Sequence, residues 1–156
     1  MSSALLAGAV SNSIEPEVGM AYNQGSAAGE MTRVNPQFTK LAKDKGMYSE
    51  ALIKSLAMDH NGSVQHLDWL SDEEKMVFKT AFEIDQRAIL RLASTRQQFI
   101  DQGQSLNLFF AADEDEGYIA EIHKEALLDE NIKGLYYLRS SRGVKASKGE
   151  CTACEG

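Results

Sequence analysis

The two cysteines of this chain, Cys151 and Cys154, have the spacing C-x-x-C and stand near its carboxyl end. Two thiols at this spacing can close a disulfide, and a flexible segment lets a partner thiol attack either sulfur. Half of a zinc site and two idle thiols are the alternatives, although the histidines lie far upstream at no zinc-finger spacing. A secreted domain of this size would seldom carry a single cysteine pair on a tail, where a disulfide would crosslink nothing. A redox-active dithiol is therefore the favoured interpretation.

Two further pairs of residues could carry chemistry. Tyr136 and Tyr137 are adjacent phenols, which can pass an oxidising equivalent between them if their rings stack. Taken alone, a tyrosine pair in a strand more often serves packing. Ser2 and Ser3 precede the apolar run Ala4–Ala7 and could cap a helix whose amino end faces a phosphate, but a cap without a ligand is the simpler explanation.

No metal site is expected in this chain. His60, His66 and His123 have no obvious carboxylate or cysteine partners in the pattern, so they are interpreted as structural or exposed. Asp113–Glu116 is interpreted as the acidic start of a helix, because negative charge is favourable at a helix amino end.

An α/β framework must position these residues. Hydrophobic spacing and stop signals predict helices over 37–45, 49–59, 72–83, 85–101 and 115–129. Alternation and turn residues predict strands at Val18–Tyr22, Glu30–Val34, 105–110 and Ile132–Arg139. The first two strands are expected to form a hairpin. Ser71 and Glu74 predict a capping box at the start of the third helix.

The order strand, helix, strand over 105–139 predicts one βαβ unit with a parallel strand pair. In a regular strand Tyr136 and Tyr137 point to opposite faces, because successive side chains alternate. Two parallel strands cannot bury both of their faces, so the chain is expected to be part of a larger α/β body. Residues 140–156 contain no leucine, isoleucine, methionine or aromatic side chain, which predicts a mobile tail.

The composition excludes several classes of function. The chain has 156 residues, 43% hydrophobic and 25% charged, and a formal net charge of −7, as is typical of a globular domain. This acidic balance disfavours binding to nucleic acid through charge. The apolar run Ala4–Val10 is far shorter than the ~20 residues of a spanning helix, and the first residues lack the basic flank of a signal peptide. A soluble, cytoplasmic protein is expected.

Several segments, in a fixed order, resemble the carboxyl-terminal part of the large, catalytic subunit of class I ribonucleotide reductase. They span nearly all of the chain and are Ser2-Ser3 through Ser13-Ile14-Glu15-Pro16, Gly29-Glu30 with Val34-Asn35-Pro36, Thr80 through Gln86, Arg96 through Leu108, Lys133 through Arg139, and Glu150 through Cys154. The motifs Gln-Ser-Leu-Asn-Leu and Gly-Leu-Tyr-Tyr-Leu-Arg, joined to a C-x-x-C tail, are specific in combination.

The resemblance implies a fold and an activity. Residues 1–139 would supply the last strands and helices of a ten-stranded α/β barrel that is incomplete on its own, and residues 140–156 a flexible tail. The implied reaction is the reduction of ribonucleoside diphosphates to deoxyribonucleotides for DNA synthesis, through a protein radical. The implied partners are the amino-terminal part of the large subunit, a small radical-generating subunit that contains the metal, and thioredoxin or glutaredoxin. No cofactor is implied in this chain, and nucleotide effectors would bind elsewhere.

Roles follow from the resemblance only where residues match. Tyr136 and Tyr137 match the tyrosine pair that relays the radical from the small subunit. Cys151 and Cys154 match the tail thiols that re-reduce the active-site disulfide. Ser2 and Ser3, in turn, match the end of the loop that holds substrate phosphate.

The sequence also departs from the family pattern. No cysteine precedes Cys151, so the radical-bearing cysteine and both substrate-reducing cysteines are missing, and activity of this chain alone is not expected. Met1 occupies a position that lies inside the phosphate loop in the family pattern. The favoured hypothesis is one piece of a large subunit encoded in two parts, rather than a truncated fragment. A non-catalytic remnant or interaction fragment of the family and a free-standing dithiol exchange protein are the alternatives.

Overall fold

The computed structural model describes residues 14–26 and 29–140, except for the side chains of 24–30. Its contacts separate the chain into two units, with the boundary between Ala81 and Phe82. The strands are β1 (Ala21–Ser26), β2 (Gly29–Val34), β3 (Leu106–Phe110) and β4 (Leu135–Ser140). The helices are α1 (Pro36–Asp44), α2 (Glu50–Met58), α3 (Asp72–Val77), α4 (Gln86–Gln97) and α5 (Glu116–Leu128).

The first unit contains the hairpin that the sequence predicts. Strands β1 and β2 pair antiparallel, from Ala21 opposite Val34 to Ser26 opposite Gly29. The first strand begins at Ala21 rather than at Val18, because the Met20 amide donates to the Gly62 carbonyl, 2.8 Å away. The core of this unit collects apolar side chains from β1, α1, α2 and the segment that follows α2; its members are Met20, Ala21, Phe38, Ile53, Leu56, Val64, Leu67 and Leu70.

A close backbone approach explains the Asn61-Gly62 step that ends the second helical region. Gly62 has φ of +80°, and a Cβ there would lie 2.5 Å from the Cα of Gly19 and 2.8 Å from the carbonyl oxygen of Ala21. Asn61 also has a positive φ, of 52°, which asparagine tolerates better than most residues. Only glycine fits at position 62.

The helix starts follow the capping signals. The Asn35 side chain accepts from the amides of Gln37 and Phe38, one residue before Pro36, where the missing proline amide costs nothing. At α3, the Ser71 hydroxyl accepts from the Glu74 amide, while the Glu74 carboxylate accepts from the Ser71 amide. This confirms the predicted capping box.

The predicted extent of the helix after this box, 72–83, is wrong. Helix α3 ends at Val77, and the chain then turns toward the core of the first unit. The Phe78 ring packs edge-on against Phe38 at 5.7 Å, and the buried Ala81 donates its amide to the carbonyl of Glu17 at 2.7 Å. Continuing the helix would withdraw Phe78 from this core, so tertiary packing overrides the local helical spacing.

The second unit is the predicted βαβ arrangement. Strands β3 and β4 pair parallel and are connected through α5. All five residues of β3 are buried, and so are the apolar side chains of Ile89, Leu90 and Ala93 in α4 and of Ile122 and Ala126 in α5. Helix α4 is shorter than the predicted 85–101. It ends at Gln97, whose side-chain amide donates to the carbonyls of Ile100 and Gln102 and so supports a turn.

Within the described residues, the parallel pair is a two-stranded sheet, and β4 leaves Tyr136, Tyr137 and Leu138 exposed. An α/β element with one uncovered strand is what an incomplete barrel would present. No helix within residues 14–26 and 29–140 is long and apolar enough to cross a bilayer.

Candidate functional site

The site centres on an irregularity in the parallel pair β3–β4. Leu106 lies opposite Leu135, but Leu108 lies opposite Leu138. One residue of β3, Asn107, therefore faces two residues of β4, Tyr136 and Tyr137. An extra residue in one strand is a β-bulge, which leaves part of the ladder unpaired and redirects side chains.

The bulge corrects the expectation that the two tyrosines point to opposite faces. The ring centroids of Tyr136 and Tyr137 lie 4.1 Å apart, with 55° between their planes. Their hydroxyl oxygens are 3.4 Å apart. Alternation of faces holds only for a regular strand, and the extra residue breaks it here. Two neighbouring phenols are thereby brought into direct contact.

The surroundings of the pair act on its protons and its rings. Hydrogen bonding with the Tyr137 hydroxyl, and to a lesser degree desolvation, raises the pKa of Tyr136 above its ordinary value. This phenol is therefore protonated at neutral pH. The guanidinium of Arg139 lies 5.3 Å from the centre of the Tyr137 ring, which is a cation–π contact.

Asn107 was not identified from the sequence as a site residue. Its side chain is buried, with 7% exposure, and its Oδ1 accepts from the Tyr137 amide at 3.0 Å. The motif Gln-Ser-Leu-Asn-Leu contains this asparagine, but a polar residue inside a buried strand was the only local signal. What it contacts depends on a strand about thirty residues away.

A second buried side-chain amide, that of Gln86, connects β3 to helix α4. Gln86, 1% exposed at the start of α4, accepts from the Phe109 amide at 2.9 Å through Oε1. Its Nε2 donates to the carbonyl of Ile84 at 2.7 Å. The backbone of β3 is thus tied to α4 next to the residue that faces the tyrosine pair.

A polar network fixes the segment that leads into β3. Gln104 donates through Nε2 to the carbonyl of Ala93 at 2.7 Å and to Oε1 of Gln97 at 3.1 Å. Its Oε1 accepts from Nε of Arg96 at 3.1 Å. Partly buried side-chain amides whose hydrogen bonds are satisfied in this way rigidify the backbone that they bind.

The other residues singled out in the sequence have different outcomes. Ser2, Ser3, Cys151 and Cys154 lie outside the described residues. Asp115 caps α5 by accepting from the Tyr118 amide at 2.9 Å, as an acidic helix start should.

The histidines serve packing in this structure. His60 and His66 stack with centroids 3.6 Å apart, and burial, followed by repulsion from His60, lowers the pKa of His66. His123 stacks on Phe110 and contacts the Ile119 carbonyl through Nδ1 at 2.7 Å. Among the residues with assigned positions, no group of three or more metal-ligating side chains comes together.

A family model and several known proteins match nearly the whole length of this chain. The family model for the ribonucleotide reductase barrel domain matches residues 1–138. A Frog virus 3 (isolate Goorha) protein that carries the name of a ribonucleoside-diphosphate reductase large subunit is 42% identical over 99% of this chain and 29% of its own length. The large subunit of Invertebrate iridescent virus 3 is 36% identical over 99% of this chain and 27% of its own.

A solved structure agrees with the sequence relatives. The alpha subunit of the Actinobacillus ureae class Id ribonucleotide reductase superposes with a TM-score of 0.69 at 35% identity, over 89% of this chain and 24% of that one. The chain thus spans less than a third of the length of these relatives. The matches confirm the resemblance seen in the sequence motifs and show an α/β barrel fragment. This chain belongs to the ribonucleotide reductase large-subunit family and forms part of its barrel domain.

Proposed function

We propose that this chain supplies the carboxyl-terminal part of the catalytic barrel of a class I ribonucleoside-diphosphate reductase, and that Tyr136 and Tyr137 relay the radical to the substrate site. The observation that carries the proposal is the contact between the two phenols, with ring centroids 4.1 Å and hydroxyl oxygens 3.4 Å apart. A pair that served packing alone would need neither the bulge nor facing hydroxyl groups.

The geometry suits a balanced transfer between the two residues. A tyrosyl radical on one ring takes an electron and a proton from the other phenol, which becomes the radical in turn. No net charge moves and the products are chemically equivalent to the reactants, so the step is close to thermoneutral. The hydroxyl oxygens need to approach by roughly 0.6 Å to reach an ordinary hydrogen-bond length. The raised pKa of Tyr136 keeps the proton available for this step.

The rest of a ten-stranded barrel would cover the exposed side of β4. Tyr136 is 61% exposed, Tyr137 52% and Leu138 56%, which is unusual for a strand of two tyrosines and a leucine. The missing strands, with the radical-bearing cysteine and the substrate-reducing cysteines, belong to parts of the large subunit that this sequence does not contain. The radical would come from the metal-containing small subunit, and this chain itself would bind no cofactor.

The two ends of the chain have roles in the proposal as well. Ser2 and Ser3 would hold the phosphate of a ribonucleoside diphosphate at a helix amino end. Strand β4 includes Ser140, one residue beyond the predicted boundary, so the flexible tail would comprise residues 141–156. In it, Cys151 and Cys154 would re-reduce the active-site disulfide before thioredoxin or glutaredoxin renews them. As a flexible coil, the twelve residues from Arg139 to Cys151 reach about 17–21 Å.

The test is CDP reduction by the assembled reductase, with its small subunit and dithiothreitol. Tyr136→Phe and Tyr137→Phe each keep the ring but remove the hydroxyl, so turnover should fall to background while the subunits still assemble. Tyr48→Phe, which alters an exposed phenol in the first unit, is the matched control and should keep full turnover. Retained turnover in Tyr137→Phe would refute the relay and favour a non-catalytic role for this region.

A further inference from the structure

We propose that Asn107 is a positioning residue for the tyrosine pair: its side chain holds the β-bulge open and so keeps both phenols on one side of β4. This inference rests on the relay function of Tyr136 and Tyr137. It assigns a role to a buried polar residue whose side chain binds the backbone of the tyrosine pair.

The bulge leaves one backbone amide of β4 without a partner in the ladder. Since Asn107 faces both Tyr136 and Tyr137, the extra residue of β4 leaves a backbone group that the regular ladder cannot satisfy. That group is the Tyr137 amide, and it donates to Oδ1 of Asn107 at 3.0 Å. The side chain of the single opposing residue thus replaces the ladder hydrogen bond that the bulge removes.

Loss of the Asn107 acceptor would change the register of β4. Asn107 is 7% exposed, so water has little access to the Tyr137 amide from this side. An amide without an acceptor favours a slip of β4 into regular register, where the amide regains a partner on β3. In regular register Tyr136 and Tyr137 return to opposite faces. The contact between the phenols therefore depends on the asparagine.

The position of Asn107 restricts which residue types can accept the Tyr137 amide. The acceptor must be short enough to stay inside the sheet and long enough to reach the opposing amide, and asparagine or aspartate meets both conditions. A neutral amide brings no buried charge next to a radical pathway, whereas a carboxylate would. Leucine has nearly the same size but no acceptor, which makes it the informative replacement.

The experiment uses the complete large subunit with its small subunit and compares Asn107→Leu, Asn107→Asp and Ser94→Ala. Ser94 hydrogen-bonds Asp129 at 3.0 Å and Asn131 at 3.3 Å within the same unit, so its alanine variant is a control for general destabilisation. Four quantities are measured: kcat and KM for CDP reduction, the melting temperature, and the exchange rate of the Tyr137 amide by fragmentation-resolved mass spectrometry.

For Asn107→Leu, kcat should fall roughly ten- to a hundredfold, because small misplacements of reacting groups have effects of that size, while KM stays unchanged. Exchange of the Tyr137 amide should rise about tenfold or more. Asn107→Asp keeps an acceptor and should keep the amide protected, and its kcat should fall less than that of Asn107→Leu. Ser94→Ala should lower the melting temperature without changing either kcat or this amide.

Several outcomes would overturn the inference. They are full turnover in Asn107→Leu, an unchanged Tyr137 exchange rate in that variant, or an equal loss of kcat in Ser94→Ala. Should Asn107→Leu fail to fold, Asn107→Ser is used instead, because its side chain is too short to reach the Tyr137 amide. The kcat and the exchange rate of the Tyr137 amide are then measured in that variant. Failure of the relay function has a different signature, since Tyr137→Phe itself would then turn over; an inactive Tyr137→Phe with an active Asn107→Leu refutes only the positioning role.

Discussion

Removal of the buried amide of Gln86 should loosen β3 next to the tyrosine pair. Gln86→Met keeps the length and the apolar stem but deletes the acceptor for the Phe109 amide and the donor to the Ile84 carbonyl. The Phe109 amide is fully inside the unit, because Phe109 is 2% exposed. Leaving it without a partner costs about 1–3 kcal/mol.

The other contributions are smaller. The Ile84 carbonyl belongs to a half-buried residue and can recover a hydrogen bond to water, so its loss costs about 1 kcal/mol or less. Gln86 is 1% exposed, so a methionine at this position would be buried. Its apolar burial offsets roughly 1 kcal/mol of the lost stability. The net expectation is about 1–3 kcal/mol of local destabilisation.

The assay is native-state hydrogen exchange in the assembled large subunit, followed by CDP turnover. Because 1.4 kcal/mol corresponds to a factor of ten, exchange of the Phe109 amide should accelerate roughly 5- to 150-fold. The matched control is Gln65→Met, since Gln65 donates one side-chain hydrogen bond to the Lys75 carbonyl at 2.9 Å in the first unit. It should leave Phe109 unchanged. Unaltered exchange of Phe109 in Gln86→Met would refute the assignment of this amide as the tie between β3 and α4.

Three predictions concern the first unit and are read out by its exchange protection. Ser71→Ala removes the capping box and should cost about 1 kcal/mol, with faster exchange confined to the first turn of α3. Gly62→Ala places a Cβ 2.5 Å from the Cα of Gly19 at a φ of +80°, so it should cost roughly 2–4 kcal/mol; wild-type protection would contradict this close approach. Since burial and His60 lower the folded-state pKa of His66, the unfolded chain binds more protons at low pH. The stability of the unit should therefore decline as the pH falls below about 6.5, and His66→Gln should flatten that decline.

Much of the fold could be predicted because its signals are local. Ser71 and Glu74 specify a helix start through contacts within four residues, and this position agrees with the structure. The apolar run that becomes β3 and the helix that follows it predicted the βαβ unit. The helix predicted over 72–83 failed, because Phe78 and Ala81 find partners in the first unit that no local pattern reveals.

The candidate site, too, was predicted only in part. The identities of Tyr136 and Tyr137, and the motifs around them, indicated the family and the pair from the sequence alone. Their arrangement was predicted only for a regular strand, and it differs.

By itself, then, the sequence determined which residue types are present, the order of most helices and strands, and to which family the chain belongs, because these depend on short-range spacing and on motif identity. The tertiary structure alone decided that two successive side chains of β4 meet. The reason is the register between β3 and β4: Asn107 faces two residues instead of one and accepts the Tyr137 amide. Such a pairing joins residues about thirty positions apart, and neither strand encodes it without the other.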